Sequence, residues 1–289
     1  MTVKSALHSI FLRDDVNFLV TNQMIPRRLL TQLVGRLARI ENRLVCALSI
    51  GAWRLFASPD LGEATKSRFD SLHDCFIREL RPGVRPIDPD PRVMVSPCDA
   101  IVGACGNIKG NQLIQAKGLT YTLEELLADP ELVELYRDGR YVTLRLTSSM
   151  YHRFHAPHDC RVEQVTYVSG DTWNTNPSAL ERVEKLFCKN ERAVVRTRLQ
   201  STGQLVTLVP VASILVASIR FHFVDVLLHL RHIGPNVIHC SAPFGKGQEM
   251  GWFELGSTIL VFAPTGLALA ENVRAGSVIR MGQPLMRLG

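Results

Sequence analysis

The sequence lacks any run of 18 apolar residues, any C-x-x-C pair and any long apolar stretch near its N-terminus. The first absence predicts that no helix spans a membrane. The N-terminus reaches Asp14 and Asp15 early, which predicts that no signal peptide is cleaved. The seven cysteines are scattered and odd in number, so we expect reduced thiols in a cytosol-like compartment rather than a disulfide framework.

Several catalytic motifs are also absent. There is no G-x-x-x-x-G-K-[ST], no G-x-S-x-G and no H-E-x-x-H, which argues against a P-loop enzyme, an α/β-hydrolase and a helical zinc protease. Aromatic residues make up only 7% of the chain and do not alternate with the basic ones, so nucleic-acid binding is disfavoured. The glycine-rich basic stretch at 244–251 fits either a phosphate-contacting loop or a plain flexible loop.

The composition is that of a folded protein with a mild positive charge. The chain has 289 residues, of which 46% are hydrophobic and 21% charged, enough for one large β-rich domain or two small ones. The formal net charge of +6 suits an anionic partner, such as an acidic lipid surface.

The first 85 residues are predicted to be helical. Pro26 is suited to a helix start, and the leucines and isoleucine that follow recur at spacings of three and four, which predicts one apolar helix face: Leu30, Leu33, Leu37, Ile40, Leu44 and Leu48. Six arginines and one glutamate lie between residues 26 and 56. A basic amphipathic helix of this kind fits an anionic membrane surface, or it docks on its own domain with a solvated basic face. A second helix is predicted with its apolar face formed by Phe69, Leu72, Phe76 and Leu80.

Residues 86–289 are predicted to form a β-rich catalytic domain. Short β-branched and apolar runs separated by Gly, Pro and Asn predict strands at 141–146, 162–168, 193–199, 205–209, 211–219 and 258–262. Two helices interrupt them, one with a capping box at Thr122 and Glu125, the other over 176–187 with Asn176 as N-cap before Pro177. The fold class is therefore α+β and mainly β: an antiparallel sandwich or barrel-like domain after N-terminal amphipathic helices.

The stretch MYHRFHAPHDC, residues 150–160, concentrates His152, His155, His158 and Cys160. Three interpretations stay open, namely a metal site, packing or surface histidines, and general acid–base catalysis. On a strand His152 and His158 would share one face and His155 the other, which is a poor arrangement for three metal ligands.

Two further stretches have both an ordinary and a catalytic interpretation. Asp99 is either a turn residue or the carboxylate that orients a histidine, as in Ser-His-Asp sites. The tripeptide Gly256-Ser257-Thr258 before an apolar run is either a bulge entering a buried strand or the site of a serine nucleophile.

Seven blocks together resemble the bacterial and mitochondrial type of phosphatidylserine decarboxylase over roughly residues 25–265. In chain order they are FDSLHDCFIRELRPGVRPID, SPCDAIVG, QAKGLTYTLEELL, YHRFHAP, YVSGDTWNTN, KNERAVV and KGQEMGWFELGSTIL. The resemblance implies a proenzyme that cuts itself between Gly256 and Ser257 into a β chain, 1–256, and an α chain, 257–289. It assigns Ser257 as nucleophile, His155 as base and Asp99 as the group that orients the base.

The resemblance also implies a cofactor and partners. Ser257 becomes a covalent pyruvoyl group, which forms a Schiff base with the substrate and accepts the electrons released by loss of CO₂. His152 is the candidate proton donor in decarboxylation, and no metal is expected. The expected substrate is phosphatidylserine, converted to phosphatidylethanolamine by an α/β heterodimer, alone or as a dimer of heterodimers. We expect a peripheral protein on an anionic membrane surface, the cytoplasmic face of the cell membrane if bacterial. A His/Cys zinc hydrolase and an inactive membrane-binding relative remain the alternatives.

Overall fold

The computed structural model describes residues 27–116, 119–213, 218–224, 228–229, 236–254 and 258–289. Its helices are α1 Arg27–Ala38, α2 Arg43–Phe56, α3 Leu72–Phe76, α4 Leu123–Leu127, α5 Pro130–Tyr136, α6 Pro177–Leu180 and α7 Leu186–Lys189. Its strands are β1 Val93–Val95, β2 Ala100–Asn107, β3 Gln112–Ala116, β4 Leu119–Thr122, β5 Arg140–Arg145, β6 Arg153–His155, β7 Cys160–Val168, β8 Arg192–Leu199, β9 Leu205–Val211, β10 Ser218–Phe221, β11 Leu228–His229, β12 Val237–Phe244, β13 Glu249–Phe253, β14 Thr258–Ala263, β15 Leu267–Leu269, β16 Val278–Ile279 and β17 Pro284–Leu288.

The largest sheet has eight antiparallel strands in the order β12-β7-β8-β9-β14-β5-β2-β16. A four-stranded sheet, β11-β10-β13-β6, packs against one face of it, and buried residues of both sheets share a single core cluster. Short helices cover the other face and share a second cluster with it. The mainly β class is therefore confirmed, as a sandwich of two sheets with a helical layer outside.

Strand β14 shows why the sequence has an unbroken apolar run here. Ile259 and Val261 belong to the core between the two sheets, whereas Leu260 and Phe262 belong to the core under the helices. Because both faces of this central strand are buried, apolar residues occupy every position from Ile259 to Ala263 rather than alternate ones.

Several predicted elements are confirmed and others are wrong. Thr122 and Glu125 form the capping box that starts α4, and Asn176 caps α6 with Pro177 at its first position. That helix ends at Leu180, however, and the predicted strand 211–219 is two strands, since β9 ends at Val211 and β10 begins at Ser218.

The prediction of helices in the N-terminal region is confirmed, but the helices are shorter than predicted. Asn42 interrupts the predicted apolar face, because its side chain accepts hydrogen bonds from the amides of Leu44 and Val45 and caps α2. The helix predicted around residues 69–80 is reduced to the five residues of α3. Pro26 lies outside the described residues. In the described part of the chain, no helix is both long and apolar enough to cross a bilayer.

Candidate active site

The predicted cleavage site lies where the chain passes from one sheet to the other. Strand β13 belongs to the four-stranded sheet and β14 to the eight-stranded sheet. Gly256 and Ser257, in the link between them, lie outside the described residues. The flanking residues Glu254 and Thr258 are both buried, so the two ends of the link are anchored in the interior.

His155 stands at the end of β6, next to a bulge in the partner strand. It pairs with Glu249 of β13, and Gly251 pairs with the preceding Phe154, so Met250 is the extra residue. Such bulges redirect side chains next to active sites. The imidazole is 7% exposed and therefore almost removed from water.

Two hydrogen bonds determine which nitrogen of His155 can act as a base. The Nδ1 atom lies 2.9 Å from the carbonyl oxygen of Gly247, and Nε2 lies 3.0 Å from the hydroxyl of Tyr151. A carbonyl only accepts, so Nδ1 carries the proton and Nε2 keeps its lone pair, which accepts from Tyr151. Burial lowers the pKa of His155, and the Gly247 carbonyl, Glu249 and Asp99 partly offset this effect. The ring is therefore held as a neutral base with Nε2 as its basic nitrogen.

The Gly247 carbonyl is placed by a tight turn. Gly247 has a φ of +78°, and a Cβ there would lie 2.7 Å from Cδ1 of Ile87. Its amide donates to the carbonyl of Ala156, and the Ala156 amide donates to the carbonyl of Gln248, both at 2.8 Å. The glycine-rich loop is thus tied to the residue that follows His155.

Asp99 is held by a different set of partners from the one predicted. The guanidinium of Arg85 donates to both of its oxygens at 2.6–3.1 Å, and the amide of Met281 donates to Oδ1 at 2.9 Å. Arg85 also pairs with Glu63 at 2.7 Å. Among the described residues no hydrogen bond joins Asp99 to His155, so the orienting role of Asp99 stays a prediction. The Gly247 carbonyl occupies the position at Nδ1–H that the carboxylate has in Ser-His-Asp sites.

His152 lies in an apolar environment. It is fully buried with its ring 4.0 Å from that of Phe76, and neither ring nitrogen has a hydrogen-bond partner within the described ranges. Burial lowers its pKa to about 3, with a further contribution from the Arg78 cation. Its carbonyl accepts from the amide of Phe253, which places it at the end of β13 that leads to the cleavage site.

The three histidines have separate surroundings. His158 donates from Nε2 to the carbonyl of Pro91 at 2.8 Å, which is a structural contact. In the part of the chain that the structure describes, no group of three or more His, Cys, Asp or Glu side chains is arranged to hold a metal ion. All seven cysteines are free thiols.

His155 and Tyr151 open onto a cavity of about 320 Å³. The loop after α3 forms one side of this cavity, and Arg85 and Glu249 contribute charged groups to its wall. Its lining residues are Glu79, Leu80, Arg81, Pro82, Gly83, Arg85, Tyr151, His155, Glu249 and Met281.

Sequence reasoning missed three residues of this site, namely Arg85, Tyr151 and Gly247. Tyr151 stands in the same block as His152 and His155, and this adjacency was the signal that could have found it. Gly247 lies in a glycine-rich loop, where a positive φ is a recurrent reason for glycine. For Arg85, no local signal pointed to Asp99 as its partner.

Comparison with known proteins agrees with the blocks in the sequence. The sequence profile of the phosphatidylserine decarboxylase family matches residues 72–287. A phosphatidylserine decarboxylase proenzyme from Halorhodospira halophila is 38% identical over 280 residues, covering 92% of this chain and 91% of that protein. Proenzymes of the same name from Erwinia tasmaniensis and Myxococcus xanthus are 35% and 33% identical, covering 91% and 93% of this chain and 92% and 98% of those proteins. With the profile and the full-length relatives in agreement, the chain belongs to the phosphatidylserine decarboxylase family.

Proposed function

We propose that this chain converts phosphatidylserine to phosphatidylethanolamine with a pyruvoyl group that it makes by cutting itself between Gly256 and Ser257. The observation that carries the proposal is His155, a buried and neutral imidazole whose tautomer is set by the Gly247 carbonyl. The relatives are named as proenzymes, which agrees with a chain that is processed before it acts.

Self-cleavage needs a base because a serine hydroxyl is a weak nucleophile. The Oγ of Ser257 attacks the carbonyl carbon of Gly256, its proton passes to Nε2 of His155, and the Gly256–Ser257 C–N bond breaks as the proton returns to the amine. The products are an ester at Ser257 and a free amino group. Elimination of the Gly256 carboxylate from that ester then cuts the chain and leaves dehydroalanine, which tautomerises and is hydrolysed by water, with loss of ammonia, to the pyruvoyl group. Because nucleophile and carbonyl are in one chain, alignment replaces a bimolecular encounter, with effective molarities of about 10⁵ M or more in the best cases.

Asp99 acts in this scheme through its charge. Burial lowers the pKa of His155, and the Asp99 carboxylate raises it. A negative charge near the ring stabilises the imidazolium that forms when His155 accepts the serine proton. Arg85 keeps that carboxylate in place, so Asp99 contributes without touching the ring.

The site fits a pyruvoyl group derived from Ser257, which supplies a ketone as electron sink when CO₂ leaves the substrate. The cavity beside His155, about 320 Å³, is at the small end of ligand pockets, which suits a phospholipid headgroup with its acyl chains outside. Glu249 and Glu79 in the wall are suited to the serine ammonium, and Arg81 to the phosphate or carboxylate. His152, neutral and shielded from water, is the candidate to hold a proton for the decarboxylation step.

The N-terminal helices support binding at a membrane surface. They expose large apolar side chains, led by Leu44 at 76% and Leu48 at 74%, with Leu33, Leu37 and Leu55 also exposed, and Ile40 in the link between the two helices is exposed as well. Arginines lie on the same two helices. Apolar side chains that enter the headgroup layer, flanked by cations that meet anionic lipid, are the elements of peripheral binding. The cytoplasmic face of a bacterial cell membrane, where the substrate headgroup is presented, is our proposed location.

The experiment is a decarboxylation assay on vesicles that contain phosphatidylserine, with Ser257→Ala as the comparison. The wild-type chain should release CO₂ and form phosphatidylethanolamine, and the variant should bind the same vesicles, stay uncut and be inactive. Full activity of Ser257→Ala would end the pyruvoyl assignment. If the wild-type chain showed neither activity nor cleavage, the remaining interpretation would be an inactive, membrane-binding relative of the family. Zinc-dependent hydrolysis of the lipid without release of CO₂ would favour the hydrolase.

A further inference from the structure

A buried charge lies at the end of strand β13. Glu254 follows β13 directly, is 7% exposed and stands two residues before Gly256 in the chain. A carboxylate that is removed from water needs a cation or hydrogen-bond donors. Here the cation comes from the N-terminal region, since the guanidinium of Arg39, the residue after helix α1, forms an ion pair with Oε2 of Glu254.

His73 of α3 is the other group close to this carboxylate. Its Nε2 lies 3.3 Å from the same oxygen, but without the geometry of a hydrogen bond. Burial lowers the pKa of His73 to about 4, and the Arg39 and Arg220 cations lower it as well, against Asp74, which raises it. The ring is therefore uncharged at neutral pH. Within the described ranges no further basic side chain reaches ion-pair distance of Glu254, so Arg39 balances its charge.

The two partners of this pair differ in their exposure to water. The Arg39 side chain is 49% exposed and that of Glu254 only 10%. Burial and the nearby Arg220 lower the pKa of Arg39, but a guanidinium stays protonated in proteins. Its Nη1 also donates to the carbonyl of Gly35 at 3.2 Å, which holds the cation against its own helix. Loss of the cation would leave the carboxylate buried without a counter-charge.

Strand β13 connects this pair to the histidines of the site. Glu249 at the start of the strand pairs with His155, and the amide of Phe253 at its end donates to the carbonyl of His152 at 3.0 Å. Glu254 is the next residue. The end of β13 is therefore fixed from two sides, by the backbone of the histidine strand and by the cation that follows α1.

We propose that Arg39 is a positioning residue of self-cleavage, which neutralises Glu254 and thereby fixes the end of β13. The inference rests on the proposed function and deepens it. Arg39 acts through Glu254 and takes no part in the bond changes. Without its cation the buried carboxylate has to move toward water, and the end of the strand moves with it. Helix α1, which exposes Leu33 and Leu37 for membrane binding in the proposed function, is thereby joined to the strand that precedes the cut.

Arg39→Gln removes the cation and keeps a side chain of similar polarity. A displacement of about 1 Å in a catalytic arrangement can cost about 100-fold in rate, so cleavage of the freshly synthesised chain should slow by roughly 10- to 100-fold. Arg39→Lys keeps the charge and should recover most of the rate. Wild-type cleavage in Arg39→Gln, or no recovery in Arg39→Lys, would overturn the proposal.

The matched control is Arg36→Gln. Arg36 is an exposed arginine in the last turn of the same helix, and it forms no ion pair with Glu254. The control removes the same charge from α1 and should cleave at the wild-type rate. Equal slowing of both variants would assign the effect to the overall charge of the helix and overturn the role of Arg39.

A second substitution separates positioning from a general loss of stability. Glu254→Gln removes the charge that Arg39 balances, so adding it to Arg39→Gln should restore much of the cleavage rate, and the two substitutions should be strongly non-additive. Independent slowing by each would overturn the proposal. Melting of the same variants in the uncut Ser257→Ala chain sets an assay temperature at which all of them are folded. Failure of the proposed function is recognised separately, since then the wild type would not cut at all.

Discussion

The turn at Gly247 places the carbonyl that orients His155. Adding one methyl group there, in Gly247→Ala, tests this role. In Gly247→Ala the new Cβ would lie 2.7 Å from Cδ1 and 2.8 Å from Cγ1 of Ile87, on a backbone with φ of +78°. A non-glycine residue in this conformation costs roughly 1–2 kcal/mol, before the contact with Ile87 is relieved. The turn must therefore shift, and the carbonyl that accepts from Nδ1 of His155 shifts with it.

The expected effect on cleavage follows from the lost alignment. A displacement of about 1 Å in a catalytic arrangement can cost about 100-fold in rate, so we expect Gly247→Ala to slow self-cleavage by roughly 10- to 100-fold. The Gly247 carbonyl also raises the pKa of His155 against the lowering by burial. Losing it lowers that pKa further, so the remaining cleavage should start at lower pH than in the wild type.

The assay is a time course of cleavage after cell-free synthesis, recorded on denaturing gels across a range of pH, with thermal melting of the same chains. Gly245→Ala is the matched control, because its Cβ would meet nothing closer than Asp159 at 3.8 Å and its φ is not in the left-handed region. If Gly247→Ala melts at lower temperature yet cleaves with the wild-type rate and pH profile, the carbonyl does not orient the base and the reasoning is refuted.

Two further predictions concern stability and membrane binding. Arg85→Ala removes the partner of Asp99, and since both side chains are at least nine-tenths buried, we expect a loss of about 3–5 kcal/mol in urea unfolding of the uncut Ser257→Ala chain. Arg92→Ala, with its side chain 77% exposed in its pair with Asp90, should lose under about 1 kcal/mol, and an equal loss in both would contradict the role given to Arg85. Leu48→Asp should weaken co-sedimentation with anionic vesicles by about tenfold or more, because a side chain 74% exposed on α2 no longer enters the headgroup layer. Leu135→Asp, on α5 and 36% exposed, should bind vesicles as the wild type does, and equal weakening would move the membrane-binding surface away from the N-terminal helices.

Local signals in the sequence predicted local structure well. The capping box of Thr122 and Glu125 and the N-cap at Asn176 are formed by residues three apart or fewer, so the sequence contains all the partners. Helix extent was predicted less well. The chain beyond Leu180 is held by tertiary contacts such as that of the Gln115 amide with the carbonyls of Leu180 and Val183, 65 and 68 residues away.

For the candidate site, the sequence indicated which residue types carry the chemistry but not how they are arranged. The resemblance to the family assigned the roles of His155 and Asp99, and both residues are buried. The acceptor for Nδ1 is a backbone carbonyl, which every residue possesses, so no side-chain pattern identifies Gly247. The Arg85–Asp99 pair depends on the path of a Pro- and Gly-rich connector, which spacing alone does not determine.

Denaturing mass spectrometry of the purified wild-type chain tests the central claim most directly. Cleavage between Gly256 and Ser257 predicts a piece of 256 residues and one of 289 − 256 = 33 residues. The small piece should have a mass of about 3.4 kDa, and a pyruvoyl end makes it about 17 Da lighter than hydrolysis would. That pair of masses would establish both the cut and its chemistry. A single chain of 32.3 kDa from a preparation that decarboxylates phosphatidylserine would contradict the account.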